Sequence, residues 1–138
     1  KQFGADLVLS PDQARQQGAF APVVTDLGVD VAFDVSGTDD AVDLAMRAAR
    51  PGARVVLAGI PDSDTTTFRA SLARRKGLTL VMVRRMKEVY PRAIALVERG
   101  LVDVRSVVSH RYPLSQVEDA FTTASARAGL KVVVQPSG

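Results

Sequence analysis

The sequence predicts an α/β protein with a parallel sheet, and three observations lead to that class. Short, continuous apolar runs such as residues 31–35 and 55–60 are typical of strands buried on both faces. Stretches with helical spacing of apolar residues separate these runs, and Pro or Gly stands at many of the junctions. The order of strand and helix repeats and ends in a strand, which predicts right-handed crossovers in one parallel sheet.

The carboxyl ends of the two clearest strands are the first places to look for a site. In open parallel sheets, ligands bind beyond these ends. We therefore single out Val35-Ser36-Gly37 and Ala58-Gly59-Ile60.

Composition excludes several classes of site. A length of 138 residues favours one domain, and 46% apolar with 24% charged residues is ordinary for a soluble globular protein. The chain has no Cys and one His, so it can hold neither a disulfide nor a thiolate metal site, and a self-contained zinc site is not expected. The net charge of +3 indicates a mixed, solvated surface, and we expect no nucleic-acid partner.

The apolar runs and the first residues of the sequence indicate where in the cell the protein is expected. No run reaches the roughly 20 apolar residues that cross a bilayer, so we expect no membrane partner. The start of the chain lacks the apolar core of a signal peptide, and we expect a cytoplasmic protein. The absence of an initiator Met suggests that the chain belongs to something longer.

The first elements are predicted from apolar runs and breakers. Residues 7–9 read as a short buried strand, which Ser10-Pro11 ends. Residues 13–17 are polar and fit a turn or a short helix. Helical spacing of apolar residues predicts a helix over residues 20–27, with Gly28 as its C-terminal cap.

A capped helix follows the first of the two clear strands. Thr38, Asp39 or Asp40 can accept one of the orphan amide donors of its first turn, and acidic residues suit the positive end of the helix dipole. The helix is predicted to run to about Arg50, where Pro51-Gly52 stops it.

The second half of the chain continues the alternation of helix and strand. In order, we predict a strand at 55–60, a polar loop at 61–67, a short helix at 68–75 ended by Gly77, a strand at 78–83, a helix at 90–100, a loop with some strand character at 102–112, a helix opening at 113–115, and a terminal strand at 130–134.

Familiar motifs for gripping phosphate or activating a nucleophile are absent from the sequence. No G-x-G occurs, and there is neither a P-loop lysine motif nor a G-x-S-x-G elbow. If the sheet binds a dinucleotide, the grip on its pyrophosphate must lie outside this chain.

Four residues after the predicted strands have two interpretations each. Gly37 and Gly59 either let a ligand approach the backbone closely or simply serve turn geometry. Arg84 and Arg85 either anchor a hydroxyl-rich or anionic ligand through their guanidinium donors or form a solvated charged run. His110 fits a structural hydrogen bond better than a catalytic base, because no Ser or Asp is spaced to complete a triad with it.

A series of segments in matching order carries a family resemblance. The segments are Gly4-Ala5-Asp6, residues 29–37, residues 50–59, Val83-Arg84-Arg85-Met86, residues 90–94, residues 109–114, residues 118–121 and residues 129–132. The early segments resemble the cofactor domain of medium-chain dehydrogenases, and the later ones are similar to sorbitol (polyol) dehydrogenases. The likeness covers almost the whole chain.

The resemblance implies a fold and an activity. The fold would be a partial Rossmann domain, a doubly wound parallel sheet lacking its first two strands, with a C-terminal strand that returns to a missing catalytic domain. Residues 1–138 would be the C-terminal portion of a dinucleotide-binding domain. The activity would be hydride transfer between an alcohol or polyol and NAD or NADP, with zinc polarising the substrate oxygen. The zinc ligands would lie outside this chain, which would be inactive alone, and the protein would be a homo-oligomer, either a dimer or a tetramer.

The resemblance also implies site residues. Ala58, Gly59 and Ile60 match the strand end that contacts the nicotinamide ribose and carboxamide through backbone atoms. Val83, Arg84 and Arg85 match a second nicotinamide-side segment, and Arg85 also matches the arginine that polyol dehydrogenases point at substrate hydroxyls. Met86 stands where these enzymes often have Tyr, and Arg84 where an apolar aromatic residue is common. No catalytic or metal-binding residue is expected within residues 1–138.

Two other functions remain open on the sequence. One is a non-catalytic domain that binds a nucleotide or a regulatory ligand. The other is a basic surface for nucleic acid, which the lack of interleaved aromatic residues disfavours.

Overall fold

The computed structural model describes residues 3–16, 18–21 and 27–136 and divides into two compact units, Lys1–Arg84 and Arg85–Gly138. The first unit contains a three-stranded parallel sheet, and the second a two-stranded parallel sheet. The α/β class and the parallel pairing predicted from the sequence are therefore confirmed, although the five strands found in the described ranges form two sheets instead of one.

The first unit alternates helix and strand. Its elements are α1 (Pro11–Ala14), β1 (Val29–Asp34), α2 (Asp39–Ala48), β2 (Ala49–Leu57), α3 (Ala70–Lys76) and β3 (Thr79–Met82). The strands lie in the order β1-β2-β3, with Phe33 opposite Val56 and Val56 opposite Val81. All three carboxyl ends consequently lie at one edge of the sheet.

Helix α2 supplies most of the core. The Thr38 hydroxyl accepts a hydrogen bond from the Ala41 N–H at 3.3 Å, as predicted for the cap, and Asp39 and Asp40 occupy the first turn. One side of the helix buries Val42 and Met46 completely. The core cluster comprises Ala32, Val42, Ala45, Met46, Ala49, Ala53, Val55 and Leu57.

Among the residues that the structure describes, this core lies on one face of the sheet in the first unit. Ala32 and Asp34 of β1 are buried, whereas their neighbours Val31 and Phe33 are 40% and 65% exposed. Because side chains alternate between the two faces of a strand, the exposed residues share the opposite face.

The junction between α2 and β2 differs from the prediction. The helix ends at Ala48, and β2 begins at once, taking Pro51-Gly52 into the strand through a register shift against β1. Lys76 Nζ donates to the carbonyls of Met46, Arg47 and Ala49 at 3.1, 2.6 and 2.6 Å, so it caps the end of α2. Partial burial and the nearby Arg47 guanidinium lower the pKa of Lys76.

The predicted strand at residues 7–9 does not form. The backbone there has no ladder partner among the described residues, and the Val8 side chain is 63% exposed. Of the predicted turn or short helix at residues 13–17, Gln13 and Ala14 lie in α1, which begins with a reciprocal capping box between Ser10 and Gln13. The predicted helix at 20–27 falls mostly on residues 22–26, which lie outside the described residues.

The second unit contains α4 (Val89–Glu98), β4 (Val108–Pro113), α5 (Val117–Ser125) and β5 (Lys131–Gln135). The segment predicted as a loop with strand character is thus partly the strand β4, which pairs in parallel with β5. A short 3₁₀ turn, Leu114–Gln116, leads into α5 at the predicted helix start. The return of β5 to a further domain stays a prediction.

No helix in the described parts of the chain combines the length and the apolar character that a membrane span requires.

Candidate functional site

Backbone hydrogen bonds join the segments that follow the three strands of the first unit. The Asp34 carbonyl accepts from the N–H groups of Ala58 and Gly59 at 2.9 and 3.0 Å. The Leu57 carbonyl accepts from the Val83 N–H at 3.0 Å. The structure therefore brings two of the predicted site segments, residues 58–60 and 83–84, to one edge of the sheet.

The side chains at this edge differ in exposure. Ile60 and Val83 are 64% and 51% exposed, which leaves apolar surface at the strand ends. Ala58 and Gly59 are half-buried, and Arg84 is exposed. Arg85, also exposed, is the first residue of the second unit. A flat apolar group with polar edges could use such a surface, since it offers apolar side chains beside polar backbone atoms.

Gly37 and Gly59 are required by a contact between two loops. A Cβ on Gly59 would lie 2.0 Å from the Gly37 nitrogen and 2.5 Å from its Cα. A Cβ on Gly37 would lie 2.5 Å from the carbonyl carbon of Ile60, and Gly37 also has a φ of +74°. The close approach that these glycines allow is thus to each other's loop, so neither ligand approach nor turn geometry alone explains them.

Asp34 lies beneath this contact and was not singled out from the sequence. It is 4% exposed, and its Oδ1 accepts from the Ser36 N–H at 3.0 Å, the Ser36 hydroxyl at 3.2 Å and the Gly37 N–H at 3.2 Å. An acidic residue inside an apolar run, just before Ser-Gly, was the available signal, because a buried carboxylate must find donors.

A cavity of about 520 Å³ opens at the same edge. It is lined by Gly37, Thr38, Asp39, Asp40, Pro61, Asp62 and Ser63. A larger cavity of about 730 Å³ is bordered by Gly28, Ala48 and Pro51, close to the amino ends of β1 and β2. The smaller cavity is better placed for a ligand, since parallel sheets bind ligands at the carboxyl ends of their strands.

The loop after β2 is tied to α2 at two points. Asp39 accepts from the N–H of Thr67 at 2.8 Å and from its hydroxyl, and these bonds lower the pKa of Asp39. Arg69 donates two hydrogen bonds of 2.9 Å to Asp43. Partial burial raises the pKa of Asp43, but the bonds from Arg47 and Arg69 outweigh it and hold the pKa below its usual range.

The described residues do not fit a zinc site. Within ranges 3–16, 18–21 and 27–136, no group of three or more His, Cys, Asp and Glu is arranged to hold a metal ion. A catalytic zinc normally has three protein ligands.

His110 has a structural environment in the second unit. Its Nδ1 lies 3.0 Å from the Ser109 hydroxyl, and its ring stacks on Tyr112 with centroids 6.4 Å apart. Gly129 packs closely on it, because a Cβ there would lie 2.5 Å from His110 Nδ1. These contacts favour the structural interpretation of His110 over the catalytic one.

Two residues directly after Arg85 have strained backbones. Met86 and Lys87 have φ values of 71° and 63°, in the left-handed region that residues with a Cβ seldom adopt. Such strain occurs often at functional sites.

Residues 1–99 match the family model described as zinc-binding dehydrogenase. The chain belongs to the zinc-binding dehydrogenase family. It is 30% identical over 138 residues to the L-threonine 3-dehydrogenase of Symbiobacterium thermophilum, covering 98% of this chain and 39% of that protein. It is also 30% identical over 137 residues to the sorbitol dehydrogenase of Homo sapiens, covering 98% of this chain and 38% of that protein. The chain thus spans about two fifths of the length of these curated relatives.

Solved structures of other dehydrogenases share the fold. The 2R,3R-butanediol dehydrogenase from Bacillus subtilis superposes with a TM-score of 0.79 at 20% identity, covering 99% of this chain and 39% of that chain. A zinc-binding dehydrogenase from Sinorhizobium meliloti, solved with bound NADP, superposes with a TM-score of 0.68 at 26% identity, covering 80% of this chain and 32% of that chain. The Rossmann-like fold and the family expected from the sequence are therefore confirmed.

Proposed function

We propose that residues 1–138 are the C-terminal portion of the dinucleotide-binding domain of a longer, zinc-dependent dehydrogenase. The whole protein would transfer a hydride between an alcohol or polyol and NAD or NADP. The family match over residues 1–99 and the coverage of 39% of a relative's length support this proposal. The zinc would be held by residues outside those that the structure describes, so residues 1–138 alone should not turn over substrate.

The observation that carries the proposal is the junction of strand ends. The bonds from Ala58 and Gly59 to Asp34, and from Val83 to Leu57, fix two backbone segments at the edge where parallel sheets bind ligands. In this proposal, backbone atoms of Ala58, Gly59 and Ile60 contact the nicotinamide ribose and carboxamide. Val83, Arg84 and Arg85 form the second part of the nicotinamide-side wall. The nicotinamide, when bound, supplies the carbon that accepts or donates the hydride.

Arg85 is proposed to bind the substrate. Its guanidinium offers a planar set of donors that suits neighbouring hydroxyl groups. The strained Met86 and Lys87 follow it directly, which supports a constrained backbone at this point. Met86 would leave the pocket less polar than a tyrosine there.

The remaining expectations belong to the whole protein. A small alcohol or polyol would be its substrate, it would assemble as a dimer or tetramer, and it would be cytoplasmic. The L-threonine 3-dehydrogenase and sorbitol dehydrogenase relatives make L-threonine and sorbitol the first substrates to test.

The test is steady-state kinetics on the full-length protein loaded with zinc. We expect NAD or NADP reduction with a polyol such as sorbitol, and we expect Arg85→Ala to raise the KM for that polyol by about tenfold, since a charge-assisted bond to substrate is lost. Arg92→Ala, at an exposed arginine of α4, is the charge-matched control and should leave KM unchanged.

Two results would count against the proposal in different ways. An unchanged KM and kcat in Arg85→Ala would remove Arg85 from the site. A full-length protein that binds NADH but reduces no cofactor with any alcohol would favour the non-catalytic nucleotide-binding alternative.

A further inference from the structure

Asp34 is placed to control the backbone that the proposed function assigns to the nicotinamide. We propose that Asp34 is a positioning residue, which locks the loop after β1 against the loop after β2 and so holds residues 58–60 in their binding conformation. This inference rests on the proposed function and adds a residue that touches neither cofactor nor substrate.

Asp34 holds both loops at once. Its backbone carbonyl accepts from Ala58 and Gly59 in the loop after β2. Its carboxylate accepts from two groups of Ser36 and from the N–H of Gly37 in the loop after β1. A single buried residue therefore links the two loops through different atoms.

The contact between Gly37 and Gly59 couples the positions of the two loops. With 2.0 Å between a Cβ built on Gly59 and the Gly37 nitrogen, the two backbones are in direct contact. A shift of Gly37 would therefore move Gly59 or open a gap at Ile60. Packed backbone transmits such displacements because there are no flexible side chains to absorb them.

The carboxylate is the chemical group that this position needs. All three donors converge on Oδ1, and bonds to an ionised acceptor are stronger than neutral ones. The other oxygen, Oδ2, faces Gly59, since a Cβ there would lie 2.7 Å from it. Asparagine keeps an oxygen for the three donors, although it loses the charge and puts an NH2 group in place of Oδ2, whereas alanine leaves all three donors without this acceptor.

The test compares two ligands on the full-length protein. NADH carries the nicotinamide, and ADP-ribose is the same molecule without it. We expect Asp34→Ala to weaken NADH binding by about tenfold and ADP-ribose binding by less, about threefold, because ADP-ribose keeps the ribose contact to residues 58–60 but lacks the carboxamide contact. Asp34→Asn should restore NADH binding to within about threefold of the wild type.

Two further variants make the result decisive. Asp30→Ala removes an exposed carboxylate of the same strand, which pairs with Arg50, and should change neither affinity. If Asp34→Ala does not fold, Ser36→Ala removes the hydroxyl bond to Asp34 and two bonds to Thr38, and it should weaken NADH binding selectively but less.

The outcomes separate the inference from the function on which it rests. Equal weakening of NADH and ADP-ribose binding in Asp34→Ala or Ser36→Ala, or no weakening of either, would overturn the positioning role alone. A wild-type protein that binds neither ligand would overturn the proposed function and this assignment together.

Discussion

Gly37 and Gly59 are both required because their two loops are in direct backbone contact. Gly37 has a left-handed φ, but Gly59 does not, so the backbone angle cannot explain why both positions lack a side chain. The shared cause is the loop contact, in which either Cβ would overlap the opposing backbone. A close contact between strand-end loops fixes where the chain leaves the sheet, and with it the geometry of the candidate site.

A pair of alanine variants separates the contact from the backbone angle. Gly59→Ala adds only the clash, and we expect it to lower the free energy of unfolding by about 3 kcal/mol. Gly52→Ala adds only the strain of a φ of +76° with open space around it, and should cost about 1 kcal/mol. Equilibrium denaturation of both variants measures the difference. A loss for Gly59→Ala no larger than that for Gly52→Ala would show that the loops are not in contact.

At this scale, the sequence identifies positions better than it identifies their partners. Gly37 and Gly59 stand out because they follow apolar runs, yet nothing in a linear pattern says that they meet. Asp34 lies within such a run. An acidic residue there interrupts the apolar pattern, but the sequence does not show which groups donate hydrogen bonds to it. Tertiary contacts supply both answers, and these depend on the strand register.

Two carboxylates of α2 hold the loop after β2 in place. It has little regular structure between Leu57 and Ala70, but Asp39 and Asp43 of α2 bind Thr67 and Arg69 at its end. The two anchors keep the loop beside the cavity at the strand ends, so the shape of that cavity depends on two carboxylates.

These anchors should weaken in acid. The pKa values of Asp39 and Asp43 are lowered from 3.8 in the folded protein, so the folded state binds fewer protons than the unfolded state as the pH approaches that value. Their stabilising contribution is complete above about pH 5 and is lost as the pH falls through the lowered pKa values. When the thermal midpoint is measured between about pH 3 and 6, it should therefore decrease once the pH falls below about 4.

A charge-removing variant isolates the Asp43 contribution. Asp43→Asn should lower the thermal midpoint near neutral pH and reduce its fall in acid, whereas Asp62→Asn leaves both anchors in place and should do neither. The effect will be small, under about 1 kcal/mol, because the Asp43 side chain is 26% exposed and Arg69 is 56% exposed. An Asp43→Asn protein with the acid profile of the wild type would contradict this account.

Helices and strands could be predicted where the sequence pattern agrees with what the segment packs against in the structure. Helix α2 forms as expected because its cap, its acidic first turn and its apolar face all favour the same structure. Residues 7–9 are also an apolar run, but no strand of the described part of the chain pairs with them, and strands are stable only in a ladder. Pro51-Gly52 enters β2 because the register shift against β1 accommodates it.

At the scale of the whole molecule, the described residues of the first unit cover one face of its sheet with α2. Val31 and Phe33 are exposed opposite the face that packs on α2, whereas doubly wound sheets have helices on both faces. The match to about two fifths of each relative's length agrees with the exposure of these apolar side chains. Both features support the proposal that residues 1–138 are part of a larger cofactor domain.

The position of the nicotinamide ring in a crystal structure of the full-length protein with NADH tests the central claim most directly. We predict that the carboxamide lies within hydrogen-bonding distance, about 3 Å, of backbone atoms of Ala58–Ile60 or Val83–Arg85. A nicotinamide bound away from these segments, for example in the cavity beside Gly28 and Pro51 at the amino ends of the strands, would contradict the account.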